Sequence, residues 1–139
     1  MVEQFSELLG TSWAGECELW LDPLGDEVQK GMCSLSIADG RISYSWERDG
    51  SEERGTLTVG DDEVIFTDTF HSPEAMTCRS LADARGLLQV EGTYGPSADW
   101  GWRIALVYRA PMDNLVLQMT NIAPWGEEAR AVRMTFKQR

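Results

Sequence analysis

Asp68 and His71 are the residues of this chain whose types and spacing come nearest to acid–base chemistry. His71 is the only histidine, and an imidazole beside a carboxylate can act as a general base. On a continuous strand, however, a separation of three residues places two side chains on opposite faces of the sheet. The pair therefore requires a bend, which Ser72-Pro73 could supply. Without a bend, His71 is a loop residue with no catalytic partner.

Asp68 also falls in phase with Val64 and Phe66, so the pattern directs its carboxylate toward the same face as two apolar side chains. A buried carboxylate must be paired or protonated, and Arg79, Arg103 or a tyrosine hydroxyl could pair with it. In that position it would orient a bound ligand. The alternative is a carboxylate at the end of a strand, already in solvent.

Aromatic side chains are the second group of candidates, since the chain has six tryptophans and such rings commonly line small-molecule pockets. Methionines would add an adaptable wall. The alternative for all of them is core packing, and Trp13 is expected to be structural. The predicted ligand-binding residues are Tyr44, Trp46, Phe66, Asp68, Met76, Tyr94, Trp100, Trp102, Arg103 and Met119.

The elements that would position these residues are β-strands. From Thr11 onward apolar residues recur with a period of two, and turn residues interrupt the pattern every 8–12 residues, which is typical of a sandwich or barrel. Asp39-Gly40 and Asp49-Gly50 are two-residue hairpin signals. The sequence therefore predicts an all-β fold, an antiparallel up-and-down barrel of about ten strands.

The predicted organisation is a single β-barrel domain over residues 1–139, with the barrel strands in residues 11–138. Phe5, Leu8 and Leu9 have helical spacing before Gly10, which predicts a short helix over residues 3–9. An isolated helix of this length is unstable. We therefore expect it to pack over one mouth of the barrel.

Composition excludes several classes of function. The net charge of −11 disfavours binding to nucleic acids or anionic membranes. Three cysteines, Cys17, Cys33 and Cys78, form no CxxC pair, so neither a disulfide framework nor a zinc site is predicted. No apolar run suits a membrane helix, and the acidic start of the chain lacks a secretory signal. These features predict a cytoplasmic protein with no metal site.

The segment Gly10-Thr11-Ser12-Trp13-Ala14-Gly15 resembles the start of the first strand in the calycin group: lipocalins, fatty-acid-binding proteins and nitrobindin-like barrels. The spacing Trp13-Ala14-Gly15 is closer to the nitrobindin-like proteins. Trp46 and Thr67-Asp68-Thr69-Phe70-His71 resemble an uncharacterised bacterial family of such barrels. The resemblance implies a lumen that holds a ligand.

Two properties of these families do not transfer to this chain. Nitrobindin-like proteins hold haem through a histidine near the C-terminus, but residues 115–139 contain none, so no cofactor is predicted. Fatty-acid-binding proteins clamp a carboxylate with arginine and tyrosine late in the chain. Arg133 lies late enough, but its neighbours in phase are Ala129, Ala131 and Thr135, so that role is not assigned to it.

The leading hypothesis is a barrel that binds a small apolar or aromatic ligand in its lumen without chemistry. A second hypothesis is a small hydrolase or isomerase that uses Asp68 and His71 as acid–base groups. A third is a homodimeric interaction module, because Trp20 and Trp125 lie out of phase or in a turn. The sequence is compatible with a monomer or a homodimer.

Overall fold

The computed structural model describes residues 6–22, 26–81 and 86–139. Its regular elements are ten β-strands and one 3₁₀ turn, Ala110–Met112. None of the described residues belongs to a helix long and apolar enough to cross a membrane. The strands are β1 (Ser12–Trp20), β2 (Val28–Ala38), β3 (Arg41–Arg48), β4 (Ser51–Val59), β5 (Glu63–Asp68), β6 (Ser72–Ser80), β7 (Leu88–Tyr94), β8 (Trp100–Arg109), β9 (Asn114–Ile122) and β10 (Glu128–Gln138).

The strands form a closed antiparallel barrel in which each strand pairs with its neighbours in sequence. The barrel closes at β1, which pairs with β2 on one side and with β10 on the other; Gly15 lies opposite Cys33 and opposite Phe136. Closure removes both exposed edges of the sheet. The predicted all-β, ten-stranded, up-and-down barrel is confirmed.

Gly15 lies where the backbone of β10 comes close to the backbone of β1. A Cβ atom at this position would lie 1.8 Å from the backbone oxygen of Thr135 and 2.9 Å from the Cα of Phe136. These are backbone atoms, so no side-chain rotation can relieve the overlap. A strand glycine often marks such an approach of two backbones, and here it permits the closing pair of the barrel.

The two predicted hairpin turns are present between β2 and β3 and between β3 and β4. Asp49 and Gly50 have φ angles of 49° and 81°, the left-handed conformation that a two-residue turn of type I′ requires at both positions. Gly40 has a φ angle of 71°. These turns fix the register that places Tyr44 and Trp46 on the inner face of β3, where both are buried.

The inner face of the barrel is a packed apolar core. Trp13, Phe66 and Phe136 are 0% exposed. Every strand contributes buried side chains, in most strands by the alternation expected of a strand with one buried face, whereas four consecutive residues of β9 are buried. Asp68 is 1% exposed and lies in the same row as Val64 and Phe66. The carboxylate therefore faces the interior, not solvent.

The helix predicted over residues 3–9 is not present as an element of the described structure. Of the described part of this segment, residues 6–9, Ser6 and Glu7 have helical geometry, and residues 3–5 lie outside the described structure. The chain then turns at Gly10 (φ 81°), whose N–H donates to the Ile37 carbonyl at 2.7 Å. At Gly10, directly after the predicted helix, the chain is thus joined to β2.

The N-terminal segment nevertheless covers one end of the barrel. Leu8 is buried, but Leu9 is 40% exposed, and Phe5 lies outside the described residues. Trp13 donates from Nε1 to the Thr11 hydroxyl at 2.9 Å and packs edge-on against Tyr108. Of the residues predicted to close this end of the barrel, Leu8 is therefore the one that the structure shows buried there.

The opposite end of the barrel is called the mouth here. In an antiparallel meander alternate turns lie at the same end. This end therefore collects the β1–β2 pair Trp20 and Val28 and the β3–β4, β5–β6, β7–β8 and β9–β10 connections. The mouth is formed by the turns at residues 49–50, 69–71, 95–99 and 123–127.

Candidate functional site

The β5–β6 turn at the mouth brings Asp68 and His71 together. Oδ1 of Asp68 accepts hydrogen bonds from the backbone N–H groups of Phe70 at 2.9 Å and His71 at 2.8 Å, and lies 3.3 Å from Nδ1 of the imidazole. Aspartate commonly stabilises turns through such local bonds. The bend that the pair requires is therefore made by residues 69–71, ahead of Ser72-Pro73.

Tyr44 completes this cluster from β3. Its hydroxyl donates to Oδ2 of Asp68 at 2.6 Å. Gly55 lies between them, opposite Tyr44 in one strand pair and opposite Asp68 in the next. A Cβ atom on Gly55 would lie 2.1 Å from Cζ of the Tyr44 ring. The missing side chain therefore lets the phenol cross β4 to reach the carboxylate.

The arginines considered as partners for Asp68 lie elsewhere. Arg103 is on the outer face, where it donates to Glu91 at 3.2 Å and to Glu128 at 2.7 Å. The Arg79 side chain is 79% exposed. The partner of Asp68 is thus the tyrosine hydroxyl, and Arg103 is separate from the inward-facing candidates.

The protonation states in this cluster follow from its geometry. Burial alone would raise the pKa of Asp68, but the hydrogen bond and charge of His71 and the Tyr44 hydroxyl outweigh it and hold that pKa below its usual 3.8. Burial, followed by the charge of Asp68, raises the pKa of Tyr44 well above 10.0. At neutral pH Asp68 is an acceptor, so Nδ1 of His71 donates to it, and Nε2 is the nitrogen available for other contacts.

Three aromatic rings pack around the imidazole of His71, with centroid separations of 5.5 Å for Trp46, 4.9 Å for Phe70 and 5.3 Å for Trp102. Phe70 and Trp102 meet the imidazole edge-on, at 82° and 87°. These four residues, Trp46, Phe70, His71 and Trp102, are called the imidazole box. Within it the His71 side chain is only 5% exposed.

Both indoles of the imidazole box carry an unsatisfied hydrogen-bond donor. In the part of the chain that the structure describes, Nε1 of Trp46 and Nε1 of Trp102 are the buried side-chain nitrogen and oxygen atoms without a hydrogen-bond partner. Trp46 and Trp102 are 1% and 6% exposed, so solvent does not supply a hydrogen-bond acceptor to either N–H group. Buried donors are nearly always paired, and leaving one unpaired costs about 1–3 kcal/mol.

Phe70 is the member of the imidazole box that faces solvent. It is 39% exposed and packs edge-on against Trp46 at 5.7 Å. On its outer side the guanidinium of Arg48 lies 4.6 Å from the ring centroid, a cation–π contact. The ring of Phe70 therefore separates the buried part of the box from the mouth.

Aromatic contacts continue from the imidazole box to the rim. Tyr94 stacks on Trp102 with a centroid separation of 5.9 Å and an interplanar angle of 16°. Trp100 packs against Tyr94 at 6.4 Å and against Trp125 at 5.6 Å. Trp125 is 70% exposed. The mouth therefore has an aromatic wall that runs from buried to exposed positions.

The remaining predicted site residues lie deeper in the barrel. Phe66, Met76 and Met119 are buried in the core, and the Met119 sulfur lies 4.0 Å from the Tyr44 hydroxyl. They form the floor beneath the cluster of Tyr44 and Asp68. The predicted set thus divides into mouth residues, floor residues and the outward-facing Arg103.

No metal site accompanies this cluster in the described ranges, where no group of three or more histidine, cysteine or acidic residues is arranged to hold an ion. Cys17, Cys33 and Cys78 are buried and unbridged.

No family model matches the chain, and no curated protein matches it. The imidazole box and the residues that hold it are therefore the features of this chain that bear on its function.

Two residues that shape the site were not among its predicted members. Gly55 makes room for Tyr44, and the signal in the sequence was a glycine inside a strand, which often marks a close approach. Phe70 lies in the turn that follows β5, which ends at Asp68. The backbone N–H groups of Phe70 and His71 reach Asp68 only because the chain turns after β5. An alternating pattern in the sequence does not reveal such a turn.

The lowered pKa of Asp68 predicts a pH dependence of stability. An unfolded carboxyl titrates near 3.8, so the contribution of Asp68 is complete above that pH and is lost as the pH falls through its lower native pKa. We expect urea denaturation across this acidic range to show a steeper loss for the wild type than for Asp68→Asn. Equal slopes for the two proteins would contradict the assignment of a charged Asp68.

Proposed function

We propose that this barrel binds a small apolar or aromatic molecule at its mouth, within the imidazole box, and performs no chemistry on it. The observation that carries the proposal is the pair of buried indole N–H groups without partners. Phenylalanine rings could fill the core at these two positions without leaving two buried N–H groups unpaired. A ligand with an acceptor atom would satisfy them.

The composition of the surroundings supports a largely apolar ligand. Ligand pockets are usually lined by hydrophobic and aromatic side chains with a few polar groups that fix orientation. Here Trp46, Trp102 and Tyr94 supply aromatic surface, and His71 supplies the polar group. The Asp68 carboxylate contacts Nδ1 of that imidazole, and the Tyr44 hydroxyl in turn donates to Asp68.

Entry would occur past Phe70. The backbone N–H of Phe70 is bonded to Asp68, so the loop can keep its path while the exposed ring rotates about χ1. Rotamer changes of exposed side chains are fast, on the ps–ns scale. The ligand would then take the place of the Phe70 ring against Trp46 and His71, with no rearrangement of the barrel strands.

Acid–base catalysis by Asp68 and His71 is the second candidate, and the 3.3 Å contact between the carboxylate and Nδ1 favours it. An oriented imidazole has Nε2 available as a base. Nothing else in the described cluster is a nucleophile beside it, so binding remains the leading proposal.

The proposal is tested by titrating the protein with the neutral fluorophore N-phenylnaphthylamine. We expect saturable binding of one molecule per chain, and changes in the indole N–H resonances of Trp46 and Trp102 in heteronuclear NMR spectra. Trp20 is the internal control, because the Arg130 guanidinium lies over its ring and it makes no ring contact with the four residues of the imidazole box. Its resonance should not move.

Two outcomes would overturn the proposal. One is the absence of saturable binding. The other is binding that perturbs the exposed Trp125 and leaves Trp46 and Trp102 unchanged, since this would place the fluorophore on the outer surface. If the protein converts one of its bound compounds, and the substitution His71→Ala abolishes that turnover, the acid–base candidate would be favoured instead.

A further inference from the structure

The imidazole box offers a particular pattern of hydrogen-bonding groups to whatever occupies it. Trp46 and Trp102 each present one N–H donor, and both are without partners. An indole nitrogen donates and never accepts. Both indoles pack on the same imidazole, at 5.5 and 5.3 Å, so the two unpaired donors belong to rings that share one neighbour.

The charge near the box favours a neutral acceptor over an anion. The Asp68 carboxylate lies directly behind the imidazole, and its two oxygens are already bonded to Tyr44, Phe70 and His71. An anionic ligand against His71 would be placed close to this buried charge, which is unfavourable at low dielectric.

The Arg48 guanidinium does not compensate an anion in the box. Arg48 lies on the solvent side of Phe70 and is already engaged, 3.4 Å from Glu53 and 3.9 Å from Asp49. Its charge is therefore shared with two carboxylates outside the box. A neutral carbonyl oxygen has two lone pairs, accepts N–H donors readily and brings no charge to desolvate.

We propose that the ligand is a neutral aromatic or conjugated ketone whose carbonyl oxygen accepts hydrogen bonds from the indole N–H groups of Trp46 and Trp102. This inference rests on the proposed function, ligand binding in the imidazole box, and assigns its chemical class. The ring system of the ligand stacks within the aromatic wall in place of Phe70. The carbonyl satisfies donors that the folded chain leaves unsatisfied.

The test compares α-tetralone with tetralin, two molecules of nearly the same shape that differ in one carbonyl group. Isothermal titration calorimetry at neutral pH measures both. We expect α-tetralone to bind about tenfold more tightly, because it satisfies buried donors that tetralin leaves unpaired. Tetralin should still bind, through apolar contact alone.

The matched variants are Trp46→Phe and Trp102→Phe, which keep an aromatic ring and remove one N–H each. We expect each variant to reduce the preference for α-tetralone over tetralin, and the double variant to abolish it. Tetralin binding by the variants reports that the box is intact, so a general loss of folding is distinguished from the loss of a donor. Trp20→Phe, outside the box, should leave the preference unchanged.

The outcomes separate this inference from the proposed function. Equal affinities for the two compounds, unaffected by either variant, would overturn the ketone assignment and leave binding in the box standing. Tighter binding of α-naphthoate than of α-tetralone would overturn the assignment of a neutral ligand. No binding of any of these compounds, or of N-phenylnaphthylamine, would overturn the proposed function itself.

Discussion

Asp68→Ala is expected to lower the free energy of unfolding by about 3–5 kcal/mol. The substitution removes the acceptor of four donors: the Tyr44 hydroxyl, Nδ1 of His71, and the backbone N–H groups of Phe70 and His71. A buried donor left without a partner costs about 1–3 kcal/mol, and the Tyr44 hydroxyl has no access to water. Urea denaturation followed by tryptophan fluorescence measures the change.

Asp68→Asn is the control for this prediction. Its amide oxygen can keep the two backbone bonds that form the β5–β6 turn, so the loss should be smaller, about 1–2 kcal/mol. Tyr44→Phe removes a single bond and should fall in the same range. A loss below about 1 kcal/mol for Asp68→Ala would show that the turn and the tyrosine do not depend on the carboxylate.

Gly15→Ala is expected to prevent barrel closure or to destabilise the protein by more than about 3 kcal/mol, the upper part of the range for overpacked positions. The added carbon would overlap the backbone of Thr135 at 1.8 Å, so β10 would have to move away from β1. Since whole domains are stable by only about 5–15 kcal/mol, the folded state is expected to be scarcely populated. Circular dichroism and thermal unfolding measure this.

Gly101→Ala is the matched control, a strand glycine of β8 whose added carbon would lie 3.4 Å from its nearest neighbour, the Gly92 carbonyl. That is ordinary contact, so the change in stability should stay within about 1 kcal/mol. A stable, closed barrel for Gly15→Ala, with stability equal to that of Gly101→Ala, would refute the close approach at the β1–β10 pair.

The sequence specified the strands well because two signals agreed. Alternation placed Ile42, Tyr44 and Trp46 on one face of β3, and Asp-Gly turns bounded that strand at both ends. A period of two is a direct consequence of strand geometry, so it predicts the inward face without knowledge of the tertiary structure. The same logic correctly directed Asp68 to the interior.

The candidate site was less predictable because it depends on contacts between strands distant in sequence. The alignment of Tyr44, Gly55 and Asp68 across three strands follows from the register of two hairpins, and a one-residue shift would destroy it. The sequence offered the tyrosine only as one of several partners.

The pairing of β1 with β10 also governs when the protein can fold during its synthesis. Leu19 pairs with Val132 and Cys17 with Met134, so more than a hundred residues must be made before the first strand meets its second partner. Until then β1 is an unpaired edge, open to pairing with other chains. Such long-range contacts predict slow folding. A ribosome-bound chain that stops before β10 is thus expected to need protection by a chaperone.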